Sequence, residues 1–263
     1  MIPRAYIVEW RSNAPWKSDA QVEQDLIISR LLAEFFLNSV IQNTLLFRGG
    51  TALHKLFLGP PVRYSEDLDL VQKEVGPIGP VLSAIRGIGD PLLGNPRTHQ
   101  KEDSVMLIYR ADSEIRPIVP LRIQIEVNTR EHFIVFPALK KHFDLRSRWF
   151  SGECEVNTYF LEELLATKLR ALYQRKKGRD LFDLWYGLTK GKAEPEKVVE
   201  AFRRYLKSQG LRITREQLQR NVLLKIKERS FLIDTQPLLR PDISYSAEEA
   251  YSLLEEKLVN LLV

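Results

Sequence analysis

The sequence predicts an α+β chain: a mixed sheet with flanking helices over residues 1–150, then an all-helical domain over residues 151–263. Three observations carry this. Residues 64–71 and 121–127 alternate apolar and polar side chains with the period of two that marks a half-buried strand. Gly and Pro punctuate residues 76–96, as expected between elements of a compact domain. From residue 151 onward the apolar positions follow helical spacing, and no strand pattern interrupts them.

In order along the chain, residues 20–42 place Val22, Leu26, Ile27, Leu31, Phe35 and Val40 on one helical face, which predicts one long amphipathic helix. A short strand follows at residues 45–48. Gly49 and Gly50 break it, and Thr51 is a candidate cap for a helix burying Ala52, Leu53, Leu56 and Phe57 before Gly59-Pro60-Pro61 stops it. Residues 64–71 form the next strand, with Leu68 and Leu70 on one face and Asp67 and Asp69 on the other. A short helix is expected near residues 81–88, and strands at 105–110 and 121–127. In the last of these, Leu121, Ile123, Ile125 and Val127 face one way and Arg122, Gln124 and Glu126 the other. The helical part reads as segments 161–174, 180–188, 196–208, 215–228 and 247–262.

A composition of 44% hydrophobic and 28% charged residues is that of a globular chain able to bury a sizeable core. The single cysteine, Cys154, excludes an internal disulfide and a thiolate zinc cluster. No apolar run approaches the roughly 18 residues that span a bilayer, and the start lacks a signal-peptide core, so a cytoplasmic protein without membrane contact is expected. Charge is uneven: residues 168–229 hold 18 Lys or Arg against 7 Asp or Glu, within a net charge of +5 for the whole chain. Such a surplus suits a polyanion such as RNA, although solvated helix faces produce it too. Tyr173, Trp185 and Tyr205 are candidates for stacking on bases, or for core packing.

The chemistry concentrates in residues 47–70. A Gly-Gly pair between strand and helix exposes backbone amides to which a phosphate can approach closely, while also fitting an ordinary tight turn. Asp67 and Asp69 share a strand face about 7 Å apart, which lets two carboxylates hold a pair of divalent ions roughly 4 Å apart. Glu126, on the polar face of another strand, is a candidate third ligand, and Arg63 and Ser65 offer donors for phosphate oxygens. Hard oxygen ligands point to Mg2+, with Mn2+ also suitable. A solvated strand face is the competing account of Asp67 and Asp69. In the helical part, Lys168 falls on the apolar stripe of its helix, where it either snorkels out or reaches an anion. Asp180 stands where it can cap the next helix.

Three blocks of residues resemble the AbiEii/AbiGii toxin family of nucleotidyltransferase-like proteins, within the DNA polymerase β superfamily. They are Arg48-Gly49-Gly50-Thr51-Ala52-Leu53 continuing to Arg63-Tyr64-Ser65-Glu66-Asp67-Leu68-Asp69-Leu70, the strand holding Glu126, and Glu163–Leu172 with Gly178-Arg179-Asp180-Leu181-Phe182-Asp183-Leu184. The resemblance implies a nucleotidyltransferase fold and a metal-dependent transfer of a nucleotide from an NTP to an acceptor, the 3′ end of a tRNA, blocking translation. It implies that Lys168 faces the nucleotide, that Asp180 is required for activity, and that Arg179 binds phosphate or orients Asp180. It further implies neutralisation by a separately encoded antitoxin. A non-catalytic nucleotide- or RNA-binding module and a metal-dependent nuclease are the alternatives. Intact Asp67, Asp69, Lys168 and Asp180 speak against the first, and Gly49-Gly50-Thr51 against the second.

Overall fold

The computed structural model describes residues 2–262. The chain divides into two compact units, residues 1–134 with 138–158, and residues 135–137 with 159–263.

The first unit begins with α1 (Arg4–Trp10), α2 (Asp19–Leu37) and α3 (Ser39–Thr44). Ser18 and Gln21 form a reciprocal capping box that starts α2. The single helix expected over residues 20–42 is two, because Asn38 adopts an extended conformation and its side chain accepts hydrogen bonds from Val40 N and Ile41 N at 3.0 and 3.3 Å. Asn38 thereby ends one helix and caps the next.

The chain continues through β1 (Leu45–Arg48) and the four-residue α4 (Gly49–Ala52), which runs on as a π-helical turn, Leu53–Phe57. Then come β2 (Asp67–Gln72), α5 (Gly79–Leu93), β3 (Arg97–Gln100), β4 (Ser104–Asp112), β5 (Pro120–Asn128), β6 (Leu139–Arg146) and β7 (Ser151–Thr158). All seven strands join one sheet in the order β3-β4-β5-β2-β1-β7-β6. It is mixed: β2 runs parallel to β5 and β1 to β7, while the other neighbours are antiparallel. Leu68, Leu70, Ile123, Ile125 and Val127 are buried, so the alternation in β2 and β5 does direct their apolar sides into the core.

Residues 151–158, which the pattern assigns to the helical part, form β7, pairing in parallel with β1 through Phe47 and Thr158. Its apolar signal is only Cys154 and Val156 set among Glu153, Glu155 and Asn157. Its partner β6 is an edge strand in which Leu145 alone is buried, and its Lys140 and Lys141 suit an edge that must not pair further.

The second unit consists of α6 (Leu161–Gln174), α7 (Gly178–Thr189), α8 (Pro195–Ser208), α9 (Arg215–Ile226), α10 (Arg229–Ile233), α11 (Ala247–Lys257) and a terminal 3-10 turn, Val259–Leu261. Residues 135 and 136 are held to it by Glu163, fully buried in the first turn of α6, whose carboxylate accepts from Val135 N at 2.7 Å and Phe136 N at 3.0 Å. No helix among the described residues is long and apolar enough to cross a membrane.

Candidate active site

In the first unit, the register of β1, β2 and β5 sets the site. Asp69 lies opposite Arg48 on one side and Glu126 on the other, while Asp67 lies opposite Gln124. Side chains at paired positions share a face, so Asp67, Asp69 and Glu126 rise from the same side of the sheet.

Gly49 opens α4 with a φ of +84°, in the left-handed region that a side chain resists. A Cβ there would fall within the carboxylate of Asp69, so the absent side chain is what lets Asp69 lie against this backbone. At Gly50 a Cβ would meet the Arg63 guanidinium and, at 2.9 Å, the Ser65 hydroxyl. The two glycines therefore admit an acid and a base against consecutive residues of one turn. Thr51 is not the cap: Arg48 occupies that position, and the Thr51 hydroxyl instead bonds to Ser65 Oγ at 2.9 Å and to the carbonyl of Asp67. That tie holds the start of α4 to the start of β2. Arg63 is buried and donates to its neighbour's carbonyl, Tyr64 O, at 2.8 Å.

The carboxylates have cationic neighbours. Asp67 Oδ1 is 4.0 Å from Arg122 Nη1, and Glu126 Oε1 accepts from Ser104 Oγ at 2.8 Å with Lys101 Nζ 3.8 Å away. Among the described residues no group of three or more His, Cys, Asp or Glu side chains is set to hold a metal ion. The three acids thus share a face through register without forming a closed cluster.

In the second unit, Lys168 neither snorkels nor stands open. It is buried, with Nζ 3.2 Å from Asp180 Oδ1 and 2.9 Å from Asp183 Oδ2, and both aspartates have no exposed surface. Arg175, at the C-cap of α6, grips Asp180 with two hydrogen bonds, Nε to Oδ2 at 2.7 Å and Nη2 to Oδ1 at 2.9 Å. Burial by itself pushes the Asp180 carboxyl up, but Lys168 and Arg175 together outweigh it and hold the carboxyl below its usual value.

Asp180 is not a helix cap. One amide of the first turn of α7, Arg179 N, donates at 3.3 Å to Asp234, 55 residues away, and Gly178 leaves room for the carbonyl of Phe231. Arg175 rather than Arg179 orients Asp180, a partner that sequence order conceals. Arg179 is half-buried.

Much of the basic surplus has structural work. Lys225 is buried and donates to Leu172 O and Tyr173 O at the end of α6, closing carbonyls that the helix leaves open. Lys176 pairs with Glu228 at 2.7 Å, Lys177 with Asp234 at 3.4 Å and Arg204 with Glu200 at 2.7 Å. Tyr205 is core, its hydroxyl donating to Glu163 at 2.8 Å, and Trp185 packs with Phe182 and Tyr245. Tyr205 is thereby buried, while Trp185 is half-buried.

A family model described as the nucleotidyl transferase AbiEii toxin of type IV toxin–antitoxin systems matches residues 30–252. The chain belongs to this family. The AbiEii match covers the glycine pair, Asp67, Asp69, Glu126, Lys168 and Asp180 in a single span. No curated protein matches. Among solved structures, the chain is similar to the nucleotidyltransferase toxin MenT4 of Mycobacterium tuberculosis, with a TM-score of 0.66 and 19% identity over 100% of this chain and 91% of that one. It is also similar to JHP933 of Helicobacter pylori, with a TM-score of 0.53 and 17% identity over 94% and 92% of the two chains. A nucleotidyltransferase from H. pylori aligns with a TM-score of 0.51 and 18% identity over 94% and 99%. At these identities the likeness shows the fold, and the fold is that of a nucleotidyltransferase.

Proposed function

We propose that this AbiEii-family protein transfers a nucleotide from an NTP to the 3′ end of a tRNA. The observation that carries the reading is the placement of Asp69 against Gly49, with Asp67 two residues away on the same face and Arg63 and Ser65 against Gly50. Acids and phosphate donors meet on one turn.

The donor set fits a hard divalent ion. Asp67 and Asp69 would hold Mg2+ or Mn2+, with Glu126 on the neighbouring strand, and substrate phosphates would complete the coordination. When bound, such ions neutralise charge on the phosphates and favour the ionised form of the attacking hydroxyl. Backbone amides of Gly50 and Thr51, with Arg63 and Ser65, position the triphosphate. Glu126 accepts the proton of the acceptor hydroxyl as its oxygen bonds to the α-phosphorus. The bond from that phosphorus to the bridging oxygen breaks, and pyrophosphate leaves.

In the helical unit the amine of Lys168 is taken up by Asp180 and Asp183, so Lys168 and Asp180, with Arg175, support activity by holding α6 to α7 rather than by meeting the substrate. Addition of a nucleotide blocks the tRNA end and halts translation, and a separately encoded antitoxin counters it. The family's place in type IV toxin–antitoxin systems supports that last point.

Incubation with Mg2+, total tRNA and each labelled NTP in turn, followed by a denaturing gel, tests this reading. Label joined to RNA supports it. Shortened RNA indicates a nuclease, and unchanged RNA with measurable nucleotide binding indicates a binding module.

A further inference from the structure

Asp25 of α2 is buried and carries an unusually complete set of donors. Its Oδ1 accepts from the indole of Trp10 at 3.0 Å and its Oδ2 from the indole of Trp16 at 3.2 Å. Lys55 Nζ reaches both oxygens, at 3.1 and 3.2 Å, and Ser29 Oγ at 2.8 Å. Lys55 lies in the π-helical turn that continues α4, a few residues past Gly49 and Gly50. Trp16 also packs edge-on against Tyr64, with ring centroids 5.8 Å apart. Tyr64 sits between Arg63 and Ser65, the two residues set against Gly50, and its carbonyl holds Arg63. Trp10, Trp16 and Asp25 all precede the residues that the family model matches, whereas Lys55 and Tyr64 lie within them.

A buried carboxylate with one cation and two indole donors is costly to form and stiff once formed, since any displaced donor leaves a charge in a low-dielectric interior. Both routes out of it end at the glycine turn. We propose that Asp25 is a positioning residue for nucleotide binding: with Trp10 and Trp16 it forms an N-terminal brace that fixes the Gly49-Gly50 turn through Lys55 and Tyr64. This rests on the turn being the nucleotide site.

The test uses the full chain with Lys55→Met, which cuts the tie to the turn but leaves both indoles on Asp25, and Trp16→Phe as a milder second variant. Hydrogen exchange at the amides of residues 49–57 is read without nucleotide, and KM for NTP, KM for tRNA and kcat are read with it. The expected result is faster exchange across residues 49–57 and a KM for NTP raised by about 10–100-fold, the usual effect of losing a supporting shell, with kcat and the KM for tRNA little changed. Unchanged exchange in that segment overturns the brace. So does a lower kcat with an unchanged KM for NTP, the mark of a smaller folded fraction. Should Lys55→Met fail to fold, Trp16→Phe must show the same pattern in weaker form, and its absence overturns the proposal. If the wild type joins no label to RNA, the transfer reading fails by itself, and the exchange data still decide whether the turn is braced.

Discussion

The carboxylate of Asp69 occupies the space where a side chain on Gly49 would begin. The residue type at position 49 is thereby tied to Asp69, which pairs with the preceding Arg48 across β1 and β2, and a carboxylate is held against a backbone turn.

Gly49→Ala meets two obstacles, a positive φ and a collision with Asp69. It should cost about 1–3 kcal/mol of stability from the backbone alone. Displacing Asp69 should also lower transfer by about 100-fold or more, the scale on which charge-stabilising groups act. Denaturant melts and initial rates check the two parts separately, and near-normal activity would show that Asp69 does not need this position.

Lys168→Met leaves Asp180 and Asp183 buried with one cation fewer. The cost should be about 3–5 kcal/mol, as for other buried pairs broken from one side. Replacing Asp183 with Asn in the same background should recover part of it, because an uncompensated charge goes with the substitution. Thermal melts of the single and double variants measure this, and strict additivity would contradict the bracket.

Acid should weaken the same bracket. The folded Asp180 carboxyl titrates below its usual value, so its stabilising contribution is fully present above the unfolded value of about 3.9 and is lost as pH falls through the lower folded value. The stability gap between wild type and Asp180→Asn should therefore be constant from pH 5 to 7 and shrink below about pH 4. Urea midpoints at each pH report it.

Lys225 responds in the opposite range. Burial pushes its amine down to about 8, so the folded state releases the proton before the unfolded chain does. Stability should rise with pH from about 8 to 10.4, by roughly 3 kcal/mol at most, and Lys225→Met should lack that slope. Midpoints between pH 7.5 and 10 distinguish the two proteins.

The parts of the site legible in the sequence are those that follow from local periodicity. The period of two placed Leu68 and Leu70 in the core and left Asp67 and Asp69 together opposite them, because a strand pattern states its own faces. The glycine pair announced a close approach but not what approached, since Asp69 and Arg63 arrive by strand register and by a loop. Capping is a local rule and assigns that role to Asp180, whereas Asp234 fills it through a contact spanning 55 residues. The Trp10–Asp25–Lys55 network is hidden for the same reason, with separations of 15 and 30 residues, whereas Arg175 reaches Asp180 over five residues across the break between two helices, where helical periodicity gives no direction. Strands β6 and β7 carry no legible apolar pattern because an edge strand and its neighbour bury too few side chains.

Group transfer at Asp67 and Asp69 fixes the stoichiometry of the products. Labelled nucleotide joined to tRNA and pyrophosphate released are counted in the same reaction, for wild type, Asp67→Ala and Asp69→Ala. The expected result is equal amounts of both products in the wild type and neither in the variants, with folding intact by circular dichroism. Transfer that persists in either variant, or tRNA that shortens without gaining label, would rule out nucleotide transfer at these two carboxylates.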